Sequence, residues 1–118
     1  THQPYTEIQV QQLLGLGVDV RCFDSSTSSK IDILQVLTKL AEQGINDVLV
    51  EAGATIAGAF VEANVVDEWI MYFAPTLLGS DAKPMFDWPI HVMAQQRQLQ
   101  IADLRMVGHD IRLIAKPR

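Results

Sequence analysis

The run Asn46-Asp47-Val48-Leu49-Val50-Glu51-Ala52-Gly53-Ala54-Thr55-Ile56-Ala57-Gly58-Ala59 decides how this chain is read. Its first five residues are a short apolar segment of the kind buried on both faces of a parallel sheet. Glu51 to Thr55 breaks that segment abruptly. The alanine-rich stretch that follows, with Phe60 and Val61 on its apolar side, predicts a helix over residues 56–64. In open α/β sheets, ligands sit beyond the carboxyl ends of the strands, which is where this junction falls. Gly53 lacks a Cβ, so the backbone can turn sharply there and approach a ligand closely. Thr55 can cap the helix or donate its hydroxyl. A helix start offers free N–H groups and roughly half a unit of positive charge, enough to hold a phosphate or pyrophosphate without a lysine. Gly58, one turn on, permits close packing or close ligand approach. The same spacing also fits a plain strand-to-helix turn with a tight helix–sheet contact, and the residues alone leave both readings open. Glu51 ends the apolar segment, where a carboxylate must be solvated or paired. It can accept hydrogen bonds from a ligand's amine or hydroxyl groups, or simply face water.

Upstream, Thr6-Glu7-Ile8-Gln9 has the form of a capping box and Gly17 follows the last apolar residue, so residues 6–16 read as a helix. Val18 to Phe23 alternates with period two, which predicts a strand. Asp24 to Ser29 is a serine-rich loop. Ser29 or Asp32 caps a second helix, with Ile33, Leu34, Leu37, Leu40 and Ala41 on one face and Gly44 after its end. Downstream, residues 65–74 predict a strand ended by Pro75, residues 77–81 a turn, and residues 84–89 irregular chain. Residues 98–107 and 110–116 alternate as strands, with Gly108-His109 as the hairpin turn between them. The order α-β-α-β-α-β-β-β implies an α/β fold. Its sheet would be mixed, mostly parallel through right-handed crossovers, with antiparallel strands at the carboxyl end.

Composition narrows the classes. At 118 residues and 48% hydrophobic the chain is one globular domain, without repeats or a domain boundary. Nine Lys and Arg against 14 Asp and Glu leave a net charge of −5, which argues against nucleic acid as a partner. No window carries the roughly 18 apolar residues of a membrane span. The single cysteine, Cys22, cannot form an internal disulfide or a multi-cysteine zinc site, and fits a reducing compartment. The chain begins Thr-His-Gln-Pro, with no initiator Met, signal core or basic leader, so a piece of a longer cytoplasmic protein is expected.

The other candidate groups read as structural. His2, His91 and His109 have no partner at zinc-ligand spacing. Cys22 reads as a strand residue. Asp67 and Glu68 are adjacent at a strand start and would face opposite sides, a poor acid–base pair. Trp69, Tyr72 and Phe73 read as sheet packing or a subunit interface. Arg97, Arg105, Arg112, Lys116 and Arg118 make a locally basic tail of the sort that is usually solvated.

Val48 to Gly58, together with Val66-Asp67-Glu68 and Ala74-Pro75-Thr76-Leu77-Leu78-Gly79, resembles the riboflavin-biosynthesis reductases. These have the dihydrofolate-reductase-like fold and are commonly the carboxyl-terminal half of a bifunctional deaminase–reductase of the RibD type. The likeness is strong from about Ile31 to Phe86 and weaker toward Arg118. It implies a three-layer fold and an NADPH-dependent reduction of a phosphoribosylaminopyrimidine to the ribitylamino compound. By the same resemblance Gly53, Ala54, Thr55, Ile56, Ala57, Gly58 and Ala59 contact NADPH, and Glu51 contacts substrate. Ala54 stands where the family often has proline, and Thr76 where lysine is common. The resemblance further implies that residues 1–118 are the carboxyl-terminal part of one reductase domain, whose first strands and any zinc deaminase domain lie upstream. No residue is assigned as proton donor. A homodimer is expected from the family and from the exposed edges of a sheet ending in a hairpin. Two other readings stay open: a dimerisation module without catalysis, and a reductase of the same fold acting on another pyrimidine or pteridine.

Overall fold

The computed structural model describes residues 6–21, 23 and 31–118. The expectations for His2, Cys22, Ser29 and the serine-rich loop lie outside the described residues. Two compact units are present, one ending at Val48 and the other running from Leu49 to Arg118.

The first unit holds two helices, α1 (Glu7–Gly15) and α2 (Ile33–Glu42). Thr6 and Gln9 form the expected capping box at the start of α1. Asp32 caps α2 by accepting from the Leu34 N–H at 2.9 Å. Both helices end in the same way. Val18 N–H bonds the Leu13 carbonyl and Gly17 N–H that of Leu14, at 3.0 Å each. Ile45 and Gly44 repeat the pattern on Leu40 and Ala41. These are Schellman closures, and they need a left-handed residue, here Gly17 at φ 77° and Gly44 at φ 80°. Along α2 the half-buried positions are Ile33, Val36, Leu37 and Leu40, spaced i, i+3, i+4, i+7. Leu34 and Ala41, expected on that face, are exposed instead.

The second unit contains α3 (Ala54–Ala63), β1 (Trp69–Phe73), β2 (Leu99–Val107) and β3 (Asp110–Pro117). The strands form one sheet in the order β1-β3-β2, antiparallel throughout. The hairpin turn is Gly108-His109 as expected, with Gly108 at φ 62°. A positive φ at only the first of two turn residues is the sign pattern of a II′ turn, which suits the right-handed twist of a hairpin.

Among the described residues the expected parallel strands do not form. Residues 18–21, 23 and 45–53 form no strand. A parallel ladder exists only where a neighbour takes the slanted N–H and C=O bonds, and among the described residues no strand lies beside either segment. Val48, Leu49 and Val50, read as doubly buried, are 44%, 79% and 40% exposed. What stands is a mixed α/β chain with three helices and a three-stranded antiparallel sheet.

Cross-strand partners share a side of the sheet. One side is apolar and carries Trp69, Met71, Phe73, Leu104, Met106, Ile111, Leu113 and Ala115; the other is mixed, with Tyr72, Asp103, Arg105 and Arg112 beside Ile70, Val107 and Ile114. Strict alternation along Leu99-Gln100-Ile101-Ala102-Asp103-Leu104 would separate Leu99 and Ile101 from Leu104 and Met106. The register shift between Ile101 and Asp103 inserts Ala102 as a bulge, and this returns both apolar pairs to one face. It also sets Asp103 beside two arginines. Its Oδ2 accepts from Arg105 Nε at 2.7 Å and from Arg112 Nη2 at 2.9 Å.

Two outcomes follow. Deleting Ala102 removes the bulge but keeps every remaining pair on its face, so the thermal midpoint should hold. Deleting Arg105 instead sends Met106 to the mixed face and should lower the midpoint clearly; equal losses from the two deletions would contradict the register. Second, the Arg105 hydrogen bond, then that of Arg112, hold the Asp103 carboxyl below its usual pKa. A depressed folded pKa gives stability that is present above the unfolded value of about 4 and lost as pH falls through the folded one. Asp103→Asn should therefore flatten the acid limb of an unfolding-midpoint profile below about pH 4. An unchanged limb would rule the pair out as a source of stability.

Candidate functional site

The junction read from sequence is a helix start open to solvent. α3 begins two residues earlier than expected, with Gly53 as N-cap and no side chain bonded to its first turn. Ala57 N–H is the first to bond back, to the Gly53 carbonyl at 3.0 Å. The amides ahead of it have no intrahelical acceptor and point out of the helix end. Thr55 therefore lies inside the first turn and is not the cap.

The two glycines play different parts. Gly53 has φ −73° and ψ 171°, extended backbone open to any residue, so the sharp turn expected of it is not what requires glycine. A Cβ built on Gly53 would meet nothing within 4 Å. Gly58 is buried, and a Cβ there would lie 2.7 Å from the Asp87 carbonyl carbon and closer still to its oxygen. The close approach it permits is taken by backbone of the chain itself.

Around that corner Glu51, Ala52, Gly53, Thr55 and Ile56 are exposed, while Ala54, Ala57 and Ala59 are half-buried. Among the described residues Glu51 makes no ion pair. Glu51 lies two residues before the N-cap Gly53 in the chain, so an exposed acceptor immediately precedes a set of free donors. That arrangement can hold an anion on the amides and a hydrogen-bond donor on the carboxylate.

A segment that sequence reading left as irregular closes the other side of α3. Asp87 N–H donates to the Ala54 carbonyl at 2.9 Å. Phe86 meets Trp69 of β1 edge-to-face, with ring centroids 5.2 Å apart and planes at 77°. The Arg97 guanidinium lies 5.5 Å from the Trp88 ring centroid. Phe60, Val61, Trp69, Met71, Phe86 and Trp88 help to line an apolar cavity of about 140 Å³ behind the helix. The available signal was a glycine inside a helix paired with an aromatic-flanked, loop-borne tripeptide.

The remaining candidates are placed plainly. His91 and His109 are exposed, and the described residues contain no cluster of three or more His, Cys, Asp or Glu that could hold a metal. Glu68 pairs with Lys116 at 3.7 Å, while Asp67 beside it is exposed. Trp69 and Phe73 share the apolar face of the sheet and Tyr72 the other. Arg105 and Arg112 of the basic tail are engaged with Asp103. Among the described residues no helix is long and apolar enough to cross a membrane.

The RibD C-terminal domain family matches residues 1–113. The riboflavin biosynthesis protein RibD of Escherichia coli K12 is 42% identical over 82 residues, 69% of this chain and 22% of that protein. The 5-amino-6-(5-phosphoribosylamino)uracil reductase of Buchnera aphidicola is 35% identical over 92 residues, 77% of this chain and 44% of that protein. A solved structure of Acinetobacter baumannii RibD superposes with a TM-score of 0.80 at 37% identity, covering 98% of this chain and 30% of the other. The chain thus spans less than half the length of these relatives.

Proposed function

We propose, on the premise that this chain belongs to the RibD C-terminal domain family, that it forms part of an oxidoreductase of riboflavin biosynthesis. The reaction is reduction of 5-amino-6-(5-phosphoribosylamino)uracil to the ribitylamino product, with NADPH as cofactor. Support comes from the relatives of that name and from the shape of the α3 corner. One observation carries the assignment of the site. Gly53 opens a helix that has no side-chain cap, its backbone angles suit any residue, and among the described residues nothing stands within 4 Å of where a Cβ would be. A dinucleotide's phosphates fit such a cradle.

In this reading the amides of Ala54, Thr55 and Ile56 hold the anionic bridge of the cofactor, and the missing Cβ of Gly53 leaves room for it. Ala57 and Ala59 complete the set of cofactor contacts that the family resemblance implies. Glu51 accepts hydrogen bonds from the amine or hydroxyl groups of the substrate and sets its orientation. When bound, the nicotinamide supplies the hydride, and the protein supplies position and electrostatics. The larger architecture belongs to the same proposal. In the longer protein the segments predicted as strands, residues 18–23 and 46–50, join a three-layer, mostly parallel sheet of the dihydrofolate-reductase type. Both units of this chain are then parts of one reductase domain of a cytoplasmic enzyme.

The test is steady-state kinetics on the whole reductase. Gly53→Val should raise the NADPH KM about tenfold or more with folding intact. Glu51→Gln should raise the pyrimidine KM instead and leave that of NADPH alone. Unchanged NADPH affinity in a folded Gly53→Val protein would refute the site.

A homodimer is the second part of the proposal. Phe73, Ile101, Leu104, Met106 and Ile111 lie along the apolar side of the sheet and are 42%, 58%, 58%, 62% and 39% exposed. β1 and β2 each leave one edge unpaired among the described residues. A second copy packed on this face buries those side chains. Sedimentation of the whole reductase should give a dimer at micromolar concentration, and a monomer throughout that range would refute it.

A further inference from the structure

We propose that Gly58 and the segment Phe86–Trp88 are positioning elements that hold the first turn of α3 in shape for the cofactor, a role that rests on reading that turn as the NADPH site. A helix start whose amides must stay free for a ligand cannot use the usual Ser, Thr, Asp or Asn cap, because such a side chain would occupy the same donors. α3 has no such cap. Left alone, its first turn would fray. The structure holds it from the carbonyl side. The Ala54 carbonyl carries a bond from outside the helix, from Asp87 N–H at 2.9 Å. In a helix the residue four positions on covers the carbonyl of the first-turn residue with its side chain. Here that residue is Gly58, and the backbone of Asp87 lies where its Cβ would be. The missing side chain is what lets the external donor in.

The segment that delivers this bond is anchored on both sides of Asp87. Phe86 is set edge-on against Trp69 of β1, and Trp88 lies under the Arg97 guanidinium. The first turn of α3 is thereby tied to the sheet through backbone and aromatic contacts, with no group placed on the ligand side. The expected contact of Gly58 with the cofactor is replaced by an indirect role. The fold supplies through residues 86–88 the rigidity that a side-chain cap would otherwise give.

Two variants of the whole reductase test this, with Gly53→Val as reference. Gly58→Ala pushes the Asp87 backbone away; Phe86→Ala loosens the segment without a clash. Each should raise the NADPH KM about tenfold while the pyrimidine KM and kcat at saturating NADPH stay within about twofold. Hydrogen exchange of the amides of residues 57–60 should quicken selectively, with the sheet amides unchanged. If NADPH KM is unchanged in the folded variants while Gly53→Val still weakens NADPH, the positioning role is wrong and the cofactor site stands. If Gly53→Val is also silent, the site itself is wrong. If both variants lower kcat and raise both KM values together, with exchange protection lost across the sheet, the contacts are general packing and the proposal is overturned.

Discussion

One backbone hydrogen bond organises the second unit, that from Asp87 N–H to the carbonyl of Ala54. It forms because Gly58 carries no side chain, and it brings a loop against the outside of a helix at the turn where the helix begins. Its strength is unremarkable, about 1 kcal/mol net for a typical intramolecular bond. Its position matters more. It satisfies the carbonyl side of the first turn and leaves the amide side untouched, so a helix end that lacks a cap keeps its shape and its partial charge. The aromatic contacts of Phe86 and Trp88 carry the loop to that point.

The rest of the molecule is held more loosely. Val61 and Ala115, at 7% and 1% exposure, are its buried hydrophobic residues among those described. Large apolar side chains on both units remain in contact with water, Leu49, Leu77 and Leu16 among them at 79%, 101% and 80%. Burying an aliphatic side chain of this size is worth about 1.5–3 kcal/mol. A surface of this kind therefore gains much from further chain or a second copy packed upon it, in keeping with relatives more than twice as long. The bulge at Ala102 keeps one face of the sheet apolar and gathers Asp103, Arg105 and Arg112 on the other.

Local signals in the sequence were faithful. The Thr6–Gln9 capping box, the Asp32 cap, the glycine closures at Gly17 and Gly44 and the Gly108-His109 turn each depend on residues within a few positions, and each forms. Signals that need a distant partner were less so. Val48-Leu49-Val50 has the composition of an interior strand, yet composition cannot supply the neighbouring strand that makes it one. The antiparallel hairpin carries its partner next to it in the chain and forms as read. At the site, the helix start and the exposed carboxylate of Glu51 were legible. The part of Gly58 was not, because its contact comes from a loop 29 positions away that has no periodicity to betray it. The bulge was equally hidden: it shows only as a slip in phase between Ile101 and Leu104, which a strand reading passes over.

If the free amides opening α3 receive the anionic part of the cofactor, titrating the whole reductase with NADPH should move the amide chemical shifts of Ala54, Thr55 and Ile56 more than any others. Saturation with NADPH that leaves those three amides unmoved while shifting others would contradict that placement.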